Sequence, residues 1–308
     1  MINLNIPSPI QNLKHPLFDK HNVKVFVKRD DLIHPIISGN KWRKLKFNIE
    51  KYKQGGYQAI LTFGGAYSNH IAATAQLGKE LDISTIGIIR GDELNKNSNS
   101  TLKQANDNGM DLHFVTRNQY QFRYEKWYWE ELRNQFGNIL IIEEGGANFS
   151  GVLGCAEIID ELDFTPDYMI SAAGTGTTIT GLVYQSTQTK IIGVPVFKNG
   201  EFIKKEVSDL LYYTGLSDID IEEKLDLLTL ETRFHFGGYG KFTNELIDFM
   251  NDFYEQTNLK LDQVYTAKMA YSFLELLKND FFPKDSTIVL LHTGGLQGIE
   301  TIKGRLSY

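Results

Sequence analysis

The segment AILTFGGAYSNHIAATAQLGKEL, residues 59–81, decides the fold class. Ala59–Phe63 is too short for a helix and reads as a buried strand. Gly64 and Gly65 break it, and the alanine-rich Ile71–Leu81 reads as a helix. Strand, glycine turn and helix in succession form the unit from which parallel sheets are assembled. The unit recurs on both sides. Val23–Lys28, Ser84–Ile89, Asp111–Val115, Ile139–Ile142, Tyr168–Ala173, Lys190–Pro195 and Thr287–Leu291 read as further strands, and Lys41–Lys53 and Ile179–Tyr184 as helices. Asn118–Gln135, polar and aromatic, reads as one surface or interlobe helix. The pattern predicts an α/β protein with a largely parallel sheet. Glycine or hydroxyl residues follow several strands, at the sheet edge where ligands collect.

Bulk properties narrow the functional classes. A chain of 308 residues suits one large domain or two modest ones, and its 42% hydrophobic and 23% charged content is that of an ordinary globular protein. A net charge of -6 lends no support to a nucleic-acid partner. No apolar run reaches the length of about 18 residues that a membrane helix needs, so no membrane span is expected. The N-terminal MINLNIPSPIQNLKHPLF lacks the pattern of a signal peptide. Cys155 is the only cysteine, which excludes an internal disulfide and a multi-cysteine zinc site and suits a cytoplasmic location. Its place in the apolar stretch Val152–Ile159 makes it a core residue. His34, His113 and His235 lie apart without metal-ligand spacing, and no metal is expected.

Three segments carry chemistry. In Ser38-Gly39-Asn40-Lys41-Trp42-Arg43-Lys44-Leu45 a lysine stands at the head of a helix, where the macrodipole disfavours a cation. The placement makes sense if Lys41 is neutral or condensed as an imine with a carbonyl cofactor; a solvated basic helix is the plainer alternative. Lys44 shares its face and could meet a phosphate. Upstream, Asp30 and Asp31 either brace this segment or sit in a solvated turn. In Gly64–His70, Ser68, Asn69 and the helix-start N–H groups could grip a carboxylate, although capping alone would also place Ser and Asn there. Ala173-Gly174-Thr175-Gly176-Thr177-Thr178 is a phosphate cradle in physical terms. It is neither a Walker loop nor a dinucleotide fingerprint, since Ile179 stands where a third glycine belongs.

Taken together these motifs resemble the tryptophan-synthase-β-like, fold type II pyridoxal-phosphate enzymes. Within them the chain is similar to the group of 1-aminocyclopropane-1-carboxylate deaminase and D-cysteine desulfhydrase. The resemblance runs over nearly the full length and includes Lys28–Asp31, Glu144–Asn148, Gly238-Tyr239-Gly240, Val264-Tyr265-Thr266 and His292–Gly295. It implies a two-lobed fold of open parallel sheets, with a small lobe over 50–150 and a large cofactor-binding lobe over 1–49 and 151–308. It also implies a homodimer. By the same resemblance pyridoxal 5'-phosphate is held on Lys41, its phosphate by Lys44, Gly174, Thr175, Gly176 and Thr177, its phenolic oxygen by Asn69 and its ring by Tyr265. Ser68, Asn69 and His70 receive the substrate carboxylate, and Tyr239 is a further active-site tyrosine.

The resemblance also bears on the reaction. Family deaminases carry a glutamate after the Val-Tyr tyrosine and a leucine in His-x-Gly-Gly, where this chain has Thr266 and Thr293. A carboxylate near the pyridine nitrogen strengthens the ring as an electron sink. A hydroxyl donating to a neutral ring suits loss of a good leaving group such as thiolate. The threonines point to β-elimination from a small amino acid, giving pyruvate, ammonia and sulfide. Deaminase, D-serine deaminase and racemase activities remain open on the same scaffold. Ala66-Tyr67 and Lys241-Phe242-Thr243 depart from the family pattern. From other classes, a nucleotide-binding oxidoreductase has no role for Lys41. A non-catalytic binder of pyridoxal phosphate or amino acids would have no need of every motif.

Overall fold

The apolar runs close into two sheets in the computed structural model, which describes residues 2–308. The strands are β1 (Ile10–Leu13), β2 (Lys24–Lys28), β3 (Ala59–Gly64), β4 (Thr85–Arg90), β5 (Asp111–Val115), β6 (Ile139–Ile142), β7 (Tyr168–Ala173), β8 (Lys190–Pro195), β9 (Leu228–Leu230) and β10 (Thr287–Leu291). A four-stranded sheet in the order β5-β4-β3-β6 is parallel throughout. A six-stranded sheet runs β1-β2-β10-β7-β8-β9, parallel except for β1, which lies antiparallel on β2. The expected α/β architecture of fold type II is thus present.

Side chains alternate across a strand, and helices cover both faces of the larger sheet. Val25, Val27, Ile170, Ile288 and Leu290 face a core shared with Leu246, Met250 and Phe273. Their neighbours Met169, Ala173, Ile191, Val289 and Leu291 face another, shared with Ile179, Leu182 and Val207. A strand buried on both sides reads as a continuous apolar run, which is why these strands were legible while the three-residue β9 and the edge strand β1 were not. Among the described residues no helix is long and apolar enough to cross a membrane.

Two boundaries differ from expectation. The Asn118–Gln135 stretch is not one helix: Arg117–Tyr120 ends in a turn, and a second helix runs Lys126–Phe136. The break is held by side chains, with Arg123 turned to Glu144 (Nε to Oε2, 2.7 Å) and the Trp129 indole donating to the Arg123 carbonyl at 2.7 Å. A lobe boundary at residue 49/50 falls inside the Asn40–Gly55 helix, a rigid unit.

That helix packs on the Phe149–Asp160 helix, which packs in turn on Thr177–Gln185. Both contacts need glycine. A Cβ on Gly154 would lie 1.8 Å from the Arg43 carbonyl oxygen, and one on Gly181 would lie 2.5 Å from Cys155 Cβ. The close approach brings the starts of three helices to one edge of the two sheets.

Candidate active site

Lys41 is the second residue of the Asn40–Gly55 helix, whose N-cap is Gly39 at φ 63. Only glycine suits this position twice over, by its left-handed backbone and because a Cβ would fall 1.8 Å from the Thr293 carbonyl oxygen. The helix start is thereby pressed onto the turn after β10. Asn40 donates from Nδ2 to Thr178 Oγ1 (2.8 Å), tying it also to the Thr177–Gln185 helix. One turn further on, the fully buried Arg43 anchors the helix, donating to Asp30 Oδ1 (3.0 Å) and Glu161 Oε2 (2.8 Å). Lys28 joins at Glu161 (2.7 Å). Asp30 also accepts from the Ser8 hydroxyl (2.6 Å), and its carbonyl from the Gly39 N–H. Of the two readings of Asp30 and Asp31, the structure selects the brace. Losing one partner of such a buried pair costs about 3–5 kcal/mol, because the other is left uncompensated.

The two lysines are poised for different tasks. Burial, and then the neighbouring Lys44, lower the Lys41 ammonium to a pKa of about 7. The residue as a whole is only partly buried, while its amine is crowded. Lys44 is buried, its pKa lowered by that burial, and it has no hydrogen-bonded or ionic partner among the described residues. A buried ammonium without a counter-ion is costly, and its surroundings call for an anion.

Ser68 caps the Asn69–Leu81 helix, accepting from the Ile71 N–H at 3.3 Å. Asn69 reaches toward the turn after β10, its Nδ2 lying 2.9 Å from where a Cβ on Gly295 would stand. His70 takes a part other than the one expected of it. Thr62 donates its single hydroxyl proton to the Ile142 carbonyl (2.8 Å), so in the 3.0 Å contact with His70 Nε2 the histidine is the donor. Nδ1 is then a bare acceptor, buried and unpartnered. Burial, then Lys41 and Lys44, hold the imidazole well below its ordinary pKa. A neutral ring presenting a lone pair cannot donate to a carboxylate. The free lone pair calls for a donor, and Lys44 packs beside it on Gly146, where a Cβ would meet Lys44 Cβ at 2.8 Å and His70 Cε1 at 3.4 Å.

The third turn is different again. Gly176 caps the Thr177–Gln185 helix at φ 79 and supplies no side-chain acceptor. Thr175 and Thr177 bring their hydroxyls to 2.9 Å of each other. Tyr265 stands over the turn, its Cε1 3.4 Å from where a Cβ on Gly174 would lie, and its hydroxyl donates to Tyr239 at 3.5 Å. Burial first, then Tyr239, raise its pKa well above the ordinary value, so it stays a phenol. Tyr239 is half exposed and stacks on Phe197 (5.4 Å between centroids, 15° between planes).

Thr266 and Thr293 part company. Asp262 receives the N–H groups of Val264, Tyr265 and Thr266 at 2.9, 2.9 and 2.8 Å and the Thr266 hydroxyl at 2.7 Å. The Thr266 proton is therefore committed, and that side chain cannot donate to a ring. Thr293, next to Gly39, has no such partner and keeps its proton. Asp262, Arg90 and Arg123 escaped sequence reading. Asp262 carried a usable signal, a carboxylate four residues before Thr266 at a helix start. The other two sit at a strand end and in a turn where nothing local sets them apart. Cys155 is fully buried, its thiol pushed up by that burial, as a core residue should be.

A family model described as pyridoxal-phosphate dependent enzyme matches residues 3–294. A putative 1-aminocyclopropane-1-carboxylate deaminase of Pyrococcus abyssi is 29% identical over 95% of this chain and 90% of its own length. A mitochondrial bifunctional D-cysteine desulfhydrase/1-aminocyclopropane-1-carboxylate deaminase of Arabidopsis thaliana is 26% identical over 96% of this chain and 78% of its own. Among solved structures, a homologue of 1-aminocyclopropane-1-carboxylate deaminase superposes with a TM-score of 0.80 at 25% identity, covering 99% of this chain and 96% of that one. The residues present fit such a cofactor. Lys41 offers a partly neutral amine, the unpaired Lys44 wants a phosphate, and the Thr177–Gln185 helix begins without a cap of its own.

Proposed function

This chain belongs to the pyridoxal-phosphate-dependent enzymes, and from that premise we propose that it is a lyase of the D-cysteine desulfhydrase type, converting a small amino acid to pyruvate, ammonia and sulfide. The observation that carries the narrower reading is the absence of a free acid, among the described residues, at the Thr266 position, where the family's deaminases hold one. Thr293 keeps a hydroxyl proton, and the nearby Asp262 has both oxygens committed to four donors. A hydroxyl supports elimination of a good leaving group better than opening of a cyclopropane.

Bound here, the cofactor supplies the ring that accepts the electron pair left at Cα. Everything else falls to the chain. Lys44, Thr175, Thr177 and the first N–H groups of the Thr177–Gln185 helix hold the phosphate. Ser68 keeps its hydroxyl proton while accepting from Ile71, and with Asn69 it donates to the substrate carboxylate. Lys41 Nζ, with a pKa near neutrality, takes the α proton and can return it. Tyr265, over the Gly174 turn, and Tyr239 beside it stay neutral phenols and would border the cofactor.

The test is an absorbance spectrum of the purified protein, followed by D-cysteine and assays for sulfide and pyruvate. A visible band with sulfide release is the expected result, and Lys41→Ala removes both. A band with ammonia released from 1-aminocyclopropane-1-carboxylate and no sulfide from D-cysteine would overturn the lyase reading. A fully active Lys41→Ala would overturn the assignment of the lysine.

A further inference from the structure

Arg90 ends β4, the one exposed residue after five buried ones. Its guanidinium leans over the turn that follows β3, with Nη2 3.9 Å from where a Cβ on Gly65 would stand. Cζ lies 5.9 Å from the centroid of the Tyr120 ring. Its charge is felt by Tyr239 on the opposite lobe. Arg90 thus stands beside the turn that holds Ser68 and Asn69, within electrostatic reach of Tyr239.

Neighbouring arginines define what is unusual about it. Arg123 donates to Glu144 at 2.7 Å and lies between Tyr120 and Tyr124, 4.9 and 4.4 Å from their ring centroids. Arg117 donates from Nη1 to Glu93 at 3.0 Å. Both charges are neutralised. Among the described residues Arg90 has neither an ion pair nor a hydrogen bond. Lys41 and Lys44 are the lysines that would meet the cofactor, and Arg43 is paired with Asp30 and Glu161. The α-carboxylate of an amino acid is received deeper, at Ser68 and Asn69. The far end of the substrate side chain is what remains for Arg90.

We propose that Arg90 is a specificity-determining residue that selects amino acids whose side chain ends in an anion: thiolate, carboxylate or sulfonate. This rests on the reading of the cleft as an amino-acid site. A planar guanidinium suits such groups because its N–H donors pair with two oxygens at once, and charge-assisted contacts are the stronger ones. For a cysteine substrate the same contact favours the thiolate over the thiol and so prepares the leaving group.

The experiment titrates the cofactor-loaded protein with aspartate and with asparagine, in both hands, following the visible absorbance of the bound cofactor at low salt. The acid is expected to bind at least tenfold more tightly than its amide in one hand, about 1.4 kcal/mol, and the preference shrinks as salt is raised. Arg90→Gln, with its cofactor band intact, loses the preference, and Arg90→Lys keeps part of it. Equal affinities in the unmodified protein, or an undiminished preference in Arg90→Gln, would overturn the role of Arg90 and leave the amino-acid site standing. A bound cofactor that responds to no amino acid, D-cysteine included, would overturn both.

Discussion

The turn after β3 and the turn after β7 both run from a buried strand through glycine into a helix, yet only the first supplies its own cap. Ser68 accepts from the Ile71 N–H, whereas Gly176 gives the Thr177–Gln185 helix no side-chain acceptor. Every helix starts with N–H groups that lack an intrahelical partner. A serine meets one of them and stabilises the protein by itself, by about 1 kcal/mol. A glycine meets none, so an anion must do it. The first turn is thus structurally self-sufficient and can grip a substrate that comes and goes. On the function proposed above, the second would be completed by the phosphate of the cofactor. Gly39, also without a side-chain cap, leaves the helix that bears Lys41 in the second class.

The contrast can be broken at either end. The largest expected effect is at the second turn, where Thr175→Asp puts a carboxylate in the phosphate's place. Affinity of the cofactor-free protein for pyridoxal phosphate, measured by fluorescence titration, should fall on the order of 100-fold, as expected when like charges meet at an anion site. A loss of less than threefold would mean that the turn does not hold the phosphate.

Next comes pH, which reports on the amine between the two turns. With the Lys41 pKa near 7, the cofactor-free protein should combine with pyridoxal phosphate at a rate that levels off above pH 7 and falls about tenfold per pH unit below it. The same shift bears on stability. The unfolded chain regains the ordinary value of 10.5, so between about pH 7 and 10.5 it holds a proton that the folded chain lacks. Stability of the cofactor-free protein therefore rises with pH through that window, and the penalty for the buried charge is full below it. Denaturant midpoints of Lys41→Met should rise less steeply over the same range than those of the unmodified protein.

The smallest effect is at the first turn. Ser68→Ala should lower stability by about 1 kcal/mol, roughly 1.5 °C in melting temperature for a chain of this size. Affinity for pyridoxal phosphate should change by less than threefold. A loss as large as that of Thr175→Asp would show that the two turns share one task.

Much of the fold was legible because buried parallel strands are continuous apolar runs: β3, β6, β7, β8 and β10 stand where Ala59–Phe63, Ile139–Ile142, Tyr168–Ala173, Lys190–Pro195 and Thr287–Leu291 were read, within a residue. The break at residues 121–125 was not, because it depends on Arg123 reaching Glu144, a contact 21 positions away. The same holds within the site. Lys41, Lys44, Ser68, Asn69 and the Gly174–Thr177 turn stand in segments that follow strands of both sheets, with Gly39 against Thr293, Asn69 beside Gly295 and Lys44 beside His70. That His70 Nε2 is spent on Thr62 and the Thr266 hydroxyl on Asp262 was not legible, because a side chain's type says nothing of whether its proton is already given away.

By itself, then, the sequence determined the strand-turn-helix repeat, the lysine at a helix head and the glycine-threonine turn, all features written in runs of fewer than ten neighbours. The tertiary structure alone decided which polar groups are still free. Thr62 claims the Nε2 proton of His70, Glu144 claims Arg123, and among the described residues Arg90 is left without a claimant. The reason is that a hydrogen bond or ion pair is settled by distance in space, and partners 21 residues apart along the chain leave no mark in the local pattern of either.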